Sequence, residues 1–356
     1  MSACARTGPS SYGPCSAGSK TAPDLEGVTM TGIRVLTGDR PTGPLHIGHY
    51  FGSLRNRVRL QRQGAELFVV IADYQVLTDR DVAENLPEYV EELLLDYLAV
   101  GIDPAASTIF THSHVASLNQ LLLPLLSLVS VAELRRNPTV KEEIAASRQA
   151  RVSGLMFTYP VHQAADILFC GADVVPVGRD QLPHLELTRL LARRFNERYG
   201  QLFTEPEPLL GEAPALLGVD GRKMSKSRGN AIALGAGEYE TANLIRRAKT
   251  DSERVITYEP ERRPEVASLV LLAALCQDRR PEDVAEEVGD GGAGRLKAVV
   301  TEALNEHLRP IRARRADLAR DRGELRRILR EGHKRANAVA DRTLDAVRDR
   351  MGMTYL

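Results

Sequence analysis

The 356-residue sequence contains no tryptophan, only 5% aromatic residues and four cysteines. The cysteines (Cys4, Cys15, Cys170 and Cys276) form no Cys-x-x-Cys pair and stand beside no histidine cluster. Neither a disulfide framework nor a zinc motif is therefore expected, no metal ligands are assigned, and a reducing, cytoplasmic setting fits. No apolar run reaches the roughly 18 residues that a membrane-spanning helix needs, so no membrane is expected as a partner. The chain does not open with a basic patch followed by an apolar core, so it does not read as carrying a secretory signal. Net charge is missing too, 47 basic side chains balancing 47 acidic ones.

That neutrality hides an asymmetry. From Arg309 to Arg350 there are fourteen basic and seven acidic side chains, a local net of +7. Such a stretch suits a polyanionic partner, or equally a solvated, arginine-rich helical face.

What is present, 43% hydrophobic and 26% charged residues, is ordinary for a globular protein, and the length favours about two domains. Residues 1–29 are rich in Gly, Ser, Pro and Ala without hydrophobic periodicity and read as a disordered extension. Ile33-Arg34-Val35-Leu36 is a β-type run ending in Thr37-Gly38, and Leu67 to Ala72 has the unbroken apolar character of a buried parallel strand. A helical stretch from about Tyr50 to Gln63 lies between them. Helical spacing returns from Asp81 to Val100, from Ala164 to Phe169 and from Leu182 to Tyr199, with strand signals at Ser107–Phe110 and Asp173–Val177. This alternation predicts an α/β, Rossmann-like doubly wound parallel sheet over 30–235, with its ligand at the carboxyl ends of the strands. After about residue 236 only helical spacing is found (Tyr239–Lys249, Val266–Gln277, Pro281–Glu287, Arg295–Ala319, Glu324–Arg350). An all-helical domain over 236–356 is predicted there.

Two segments carry chemistry. Pro41-Thr42-Gly43-Pro44-Leu45-His46-Ile47-Gly48-His49-Tyr50 follows the first strand. Its Pro and Gly suit a tight turn, and the helix start beyond it favours anions. His46 and His49, three apart, share a helix face from which both can donate to a phosphate. Gly48, without a Cβ, lets a flat base approach the backbone. Gly221-Arg222-Lys223-Met224-Ser225-Lys226-Ser227-Arg228-Gly229-Asn230 places two lysines in a Gly-flanked loop, as a mobile lid on a polyphosphate would. Taken singly, either segment is also compatible with a structural or surface role.

In this order, about 175 residues apart, the two segments resemble the HIGH and KMSKS signatures of class I aminoacyl-tRNA synthetases. Tyr159-Pro160-Val161-His162-Gln163-Ala164-Ala165-Asp166-Ile167-Leu168 and Val175-Pro176-Val177-Gly178-Arg179-Asp180-Gln181, the latter continuing to Arg189, resemble the pocket block of bacterial tryptophanyl-tRNA synthetases. The resemblance runs from about residue 33 to the C-terminus. It implies ATP as cosubstrate with Mg²⁺, tRNA-Trp and L-tryptophan as partners, and a homodimer. It further implies that Asp166 accepts the indole N–H, and that Tyr159 and Gln181 hold the substrate ammonium. Gln163, Gln75, Val175 and Val177 would line the pocket. His46, His49, Lys223 and Lys226 would be catalytic. Arg40, Thr42, Gly48, Asp180, Met224, Ser225 and Ser227 would complete the ATP site, and Lys141 would contact pyrophosphate or remain a solvated surface lysine. A buried carboxylate suits an indole, since an analogue without the N–H leaves it unpaired and is rejected by about 10⁴–10⁵ without editing.

The expected reaction is therefore tryptophan activation by ATP and transfer to tRNA, by positioning and charge stabilisation rather than a protein nucleophile. The alternatives are a tyrosyl-type enzyme of the same class, or a non-catalytic paralogue that senses tryptophan or tRNA. Two departures stand out. Gln75, in Asp73-Tyr74-Gln75-Val76-Leu77-Thr78, occupies a position where the resembled family usually has His, and Gln163 one where it usually has Met. They suggest a second, antibiotic-resistance type of this enzyme, tolerant of tryptophan-analogue inhibitors, or else neutral drift.

Overall fold

The computed structural model describes residues 29–78, 85–138, 140–141, 153–210 and 216–355. The N-terminal extension, apart from its last residue, lies outside the described residues, as do the first residues of the helix expected from Asp81. Strand β1 (Arg34–Asp39) leads into a short helix α1 (Ile47–His49), a π-helical turn (Tyr50–Leu54), α2 (Arg55–Arg62) and β2 (Glu66–Ile71). Helix α3 (Leu86–Val100) ends at Gly101, whose φ of 107° gives the left-handed cap expected of glycine. Then come β3 (Ser107–Thr111), α4 (Ala116–Gln120), α5 (Leu122–Leu126), α6 (Val131–Arg136), α7 (Gly154–Leu168), β4 (Val174–Val177), α8 (Leu182–Tyr199) and β5 (Glu207–Leu210). Beyond β5 follow α9 (Glu238–Arg247), α10 (Pro264–Gln277), α11 (Pro281–Val288), α12 (Gly292–Leu318) and α13 (Arg322–Arg350).

The five strands pair in the order β3-β2-β1-β4-β5, every pair parallel. This is a Rossmann-like doubly wound α/β sheet with a helical C-terminal region, and its order reverses between β1 and β4. The crevice at that reversal is where such sheets hold ligands. The sequence reading ended β1 at Gly38, whereas its register continues to Asp39 opposite Ile71. A Cβ on Gly38 would lie 2.2 Å from the Val70 carbonyl oxygen, so glycine is what lets the two strands approach. Helix α7 begins at Gly154, ten residues before the expected start, because Ser153 caps it by accepting from Met156 N–H at 3.1 Å. Three short helices after β3 and the edge strand β5 carried too little periodicity to be read. Pro208 disguises β5, which it can occupy because an edge strand has no partner on one side.

The core does not divide where the strands stop. One cluster runs from β1, β2 and α3 through Ile232 and Leu234 into α9, α10 and α12; a second joins the opposite face of the sheet to α4–α8 and to Ala336, Ala340, Leu344 and Val347 of α13. Helix α13 lies against the outer strand β3. Its Arg335 donates to Ser107 O at 2.7 Å, and Thr111 N–H donates to His333 Nε2 at 3.3 Å. Gly332 permits the approach, since a Cβ there would be 1.8 Å from the Ile109 carbonyl oxygen. Part of the basic C-terminal stretch is engaged instead by α3. Arg315 pairs with Glu92 and Asp96, and Arg322 and Arg326 pair with Glu91. Among the described residues no helix is long and apolar enough to cross a membrane.

Candidate active site

The chain leaves β1 at the switch point and immediately pairs with the segment that follows the lysine-rich loop. Ile47 N–H donates to Ile232 O at 3.0 Å and Leu234 N–H to Leu45 O at 2.9 Å. This short antiparallel contact brings together two segments distant in sequence. Arg40, Thr42, His46, His49, Gln75, Met224, Ser225 and Lys226 all line one open cavity of about 700 Å³ between them.

His46 is the N-cap of α1, and its Nδ1 accepts from Gly48 N–H at 3.1 Å. His49 Nδ1 accepts from His46 N–H at 3.2 Å, and the two rings lie 3.7 Å apart. With both Nδ1 atoms accepting, both rings are neutral and carry their proton on Nε2, leaving that N–H as a donor. Burial first, then the neighbouring His49 and Lys226, push His46 down to about 3. Burial also dominates at His49, and with Lys226 and Arg57 outweighs the Asp39 charge to hold it at about 4. Gly48 sits under the loop, where a Cβ would meet the His46 ring at 3.0 Å and the Met224 sulfur at 3.3 Å.

Lys226 Nζ donates to Gly43 O at 2.7 Å, across the cavity mouth, and burial lowers its pKa. The loop is held by Asn230, buried at its base: Oδ1 accepts from Ser225 N–H at 2.8 Å, and Nδ2 donates to Asp220 at 2.7 Å and to Lys223 O at 3.2 Å. Lys223 is exposed and does not line this cavity, whereas Ser227 lies in the 3₁₀ turn Lys226–Arg228.

A second, deeper cavity of about 340 Å³ opens beside the first, with Arg40 and Gln75 on both. It lies between the carboxyl ends of β1 and β4. Asp166, Tyr159, Gln181, Gln163, Gln75, Val175 and Val177 all line it. Tyr159 OH is 2.9 Å from His184 Nε2, and the His184 ring is held by burial at about 4. Asp180 lies outside the lining and accepts from Gln181 Nε2 at 2.9 Å. Lys141 is exposed and on neither wall.

Several site residues escaped the sequence reading. Asp39, at the end of β1, accepts from Arg57 at 2.6 Å and Tyr97 at 2.7 Å. Burial alone would raise its carboxyl, but the Arg57 guanidinium outweighs burial and holds it at about 2. Arg57 also donates to Gly38 O at 3.2 Å, so this pair fixes the strand end that lines the deeper cavity. Behind Asp166, His112 Nε2 lies 3.0 Å from Asp166 Oδ1 as a buried ion pair, and the His112 and His162 rings meet edge-on at 4.7 Å. For His112, burial works against the charged ring, but the nearby carboxylates more than offset it and the pKa is raised. A buried arginine on an otherwise amphipathic helix, and His162 one turn before Asp166, were the available signals.

Known proteins match this arrangement. The family described as class I tRNA synthetases (W and Y) matches residues 30–309. A tryptophan–tRNA ligase of Clostridium longisporum is 42% identical over 334 residues, covering 90% of this chain and 97% of that one. One from Treponema pallidum is 42% identical with the same coverage of both. A tryptophanyl-tRNA synthetase of Campylobacter jejuni, solved with ADP and tryptophan, superposes with a TM-score of 0.79 at 31% identity, covering 90% of this chain and all of that one.

Proposed function

The chain belongs to the family of class I tRNA synthetases (W and Y), and on that premise we infer that it is a tryptophan–tRNA ligase. It activates L-tryptophan with ATP and transfers it to tRNA-Trp. The observation that carries this reading is the continuity of two cavities. One is lined by His46, His49 and Lys226; the other is a slot with Asp166 among Ile167, Val175 and Val177.

In this reading tryptophan fills the deeper cavity, Asp166 accepts the indole N–H, and Tyr159 and Gln181 hold the ammonium. The substrate carboxylate, directed toward the shared wall at Arg40 and Gln75, attacks the α-phosphorus of ATP. A carboxylate–phosphorus bond forms, the bond to the β-phosphate breaks, and pyrophosphate leaves. His46 and His49 donate from Nε2 to the phosphates, Thr42, Met224 and Ser225 border the nucleotide, and Gly48 keeps space for adenine. Lys226 moves from Gly43 O to the developing pyrophosphate. Lys223, Ser227 and Asp180 join only when the loop closes on substrate; Lys141 is read as a surface residue. ATP enters as its Mg²⁺ complex, the ion travelling with the phosphates, because among the described residues no carboxylate lines the cavity where they would lie. A terminal ribose hydroxyl of tRNA then attacks the mixed anhydride, forming the ester and releasing AMP.

Residues 236–356 would hold the anticodon arm. With several arginines engaged in ion pairs to α3, phosphate contacts would fall to exposed ones outside those pairs, such as Arg330 and Arg342. A homodimer is supported by Leu123 and Val131, 74% and 58% exposed between β3 and α7. Cytoplasmic action follows from the substrates.

Tryptophan-dependent ATP–pyrophosphate exchange tests the reading. Exchange with tryptophan and not with tyrosine is expected; exchange with tyrosine, or with neither, overturns it. The two glutamines, which line the tryptophan cavity, support a finer proposal that this enzyme tolerates indole-bearing tryptophan-analogue inhibitors. Gln75→His or Gln163→Met is expected to increase inhibition by such an analogue about tenfold, the scale of one hydrogen bond. Equal inhibition of all three proteins would sink it.

A further inference from the structure

Two histidines and a carboxylate come together in the interior behind the tryptophan cavity. His112, His162 and Asp166 are 0%, 4% and 2% exposed, and each offers a ligand atom within 4.8 Å of the others'. Nδ1 of His112 and Nδ1 of His162 are buried without a hydrogen-bond partner, while His112 Nε2 and Asp166 Oδ1 face each other at 3.0 Å as a buried ion pair. Orphaned buried polar atoms are individually costly, and two beside a buried ion pair call for an occupant.

The state of His162 can be deduced from its neighbour. Asn119 donates its amide to His112 O at 2.7 Å and Val115 O at 2.9 Å, which fixes Asn119 Oδ1 as the atom facing His162. That oxygen lies 2.8 Å from His162 Nε2 and can only accept. The His162 proton is therefore on Nε2, and Nδ1 carries a bare lone pair turned toward the cluster. A ligating imidazole is normally held in this way, its second nitrogen anchored to an oriented acceptor.

We propose that His112, His162 and Asp166 form a binding site for a borderline divalent cation, Zn²⁺ by its ligand chemistry, behind the tryptophan cavity. The cation would take the place of the His112 proton, and two imidazoles with one carboxylate are then a donor set that Zn²⁺ accepts, leaving a further position open. Asp166 is the shared element: it lines the tryptophan cavity, and the two histidines do not. A cation on Oδ1 draws negative charge away from the carboxylate that is to receive the indole N–H. Metal occupancy therefore weakens tryptophan binding and leaves ATP binding alone, making the pocket floor a metal-responsive control. Only this kinetic consequence rests on the tryptophan reading; metal binding does not.

The test uses full-length protein stripped with a chelator. Co²⁺ titration, followed by its visible absorption, is expected to show one equivalent per chain, displaced by Zn²⁺ and lost in both His112→Gln and His162→Leu. Thermal unfolding midpoints within a few degrees of wild type establish that the variants fold. His333→Asn, which breaks the stacked His114–His333 pair (rings 4.4 Å apart), is expected to keep the signal. In exchange assays Zn²⁺ is expected to raise the tryptophan KM about fivefold, the difference between a charged and a neutral acceptor, with the ATP KM moving less than about twofold. Absence of Co²⁺ binding, or binding that survives in both folded His112 and His162 variants, overturns the site. An unmoved tryptophan KM at saturating Zn²⁺ overturns the control. Lack of any tryptophan-dependent exchange would instead sink the enzymatic reading while leaving the Co²⁺ result interpretable.

Discussion

The two walls of the cleft are built by opposite means. The wall around His46, His49 and Lys226 is held mainly by backbone: strand-like pairing of 45–47 with 232–234, imidazoles capping peptide N–H groups, and a lysine on a carbonyl oxygen. The wall around Asp166 is held by side chains from β3, α4 and α7 that bond or face one another in the interior. A backbone-built wall ties its sequence to its shape, so its motifs survive intact. A side-chain-built wall tolerates exchange of several partners at once, and the departures from the family pattern, Gln75 and Gln163, border that wall.

Breaking the phosphate wall should do the most damage. Lys226→Ala is expected to lower tryptophan-dependent exchange by about 10²–10³, the scale of one transition-state charge contact. The unfolding midpoint without ligands should hold within about 2 °C, because the lysine crosses only an open cavity mouth. Loss of fold instead of rate would show that this wall depends on side chains after all. At the other wall, Asp166→Asn keeps the shape and removes the charge, so kcat/KM for tryptophan should fall about tenfold with the ATP KM unchanged. Equal effects on both substrates would dissolve the distinction between the walls.

Acid offers a gentler probe. His46 and His49 are depressed in the folded chain to about 3 and about 4, whereas unfolded histidine titrates near 6.5. Their stabilisation is thus present above pH 6.5 and is lost as the unfolded state takes up protons between 6.5 and roughly 4. The midpoint measured against pH should decline over that window, less steeply in His49→Gln, while exchange should show no ionisation of these rings between pH 6 and 8. The smallest effect is expected at residues 1–29, whose sequence matches no motif and lacks core-forming periodicity: their removal should leave aminoacylation within about twofold.

How much could be read beforehand follows the same division. The parallel sheet, the long helices and the residues around the ATP cavity came from local patterns, since periodicity and turn chemistry are properties of neighbouring residues. Helix α8 was legible to its last residue because its periodicity is unbroken. What escaped depends on meeting across the fold. Arg57 matters because β1 delivers Asp39 to it, and His112 because α7 carries Asp166 to the end of β3. The basic C-terminal stretch was legible as charge but not as to its use, since Glu91, Glu92 and Asp96, which absorb several of its arginines, lie more than two hundred residues earlier.

The closeness of Gly332 to β3 has a bearing on biosynthesis. Every residue assigned to the cleft has left the ribosome long before α13 exists, yet the exposed backbone edge of β3 finds Arg335 and His333 only when that helix arrives. A nascent chain therefore waits with a nearly finished catalytic half whose outer strand is open to the wrong partner, the situation in which sheets recruit one another. A premature stop codon shortly before Arg322 would make that wait permanent. The product would retain every motif of the cleft, and its fate would be decided by an unprotected strand on the far side of the sheet.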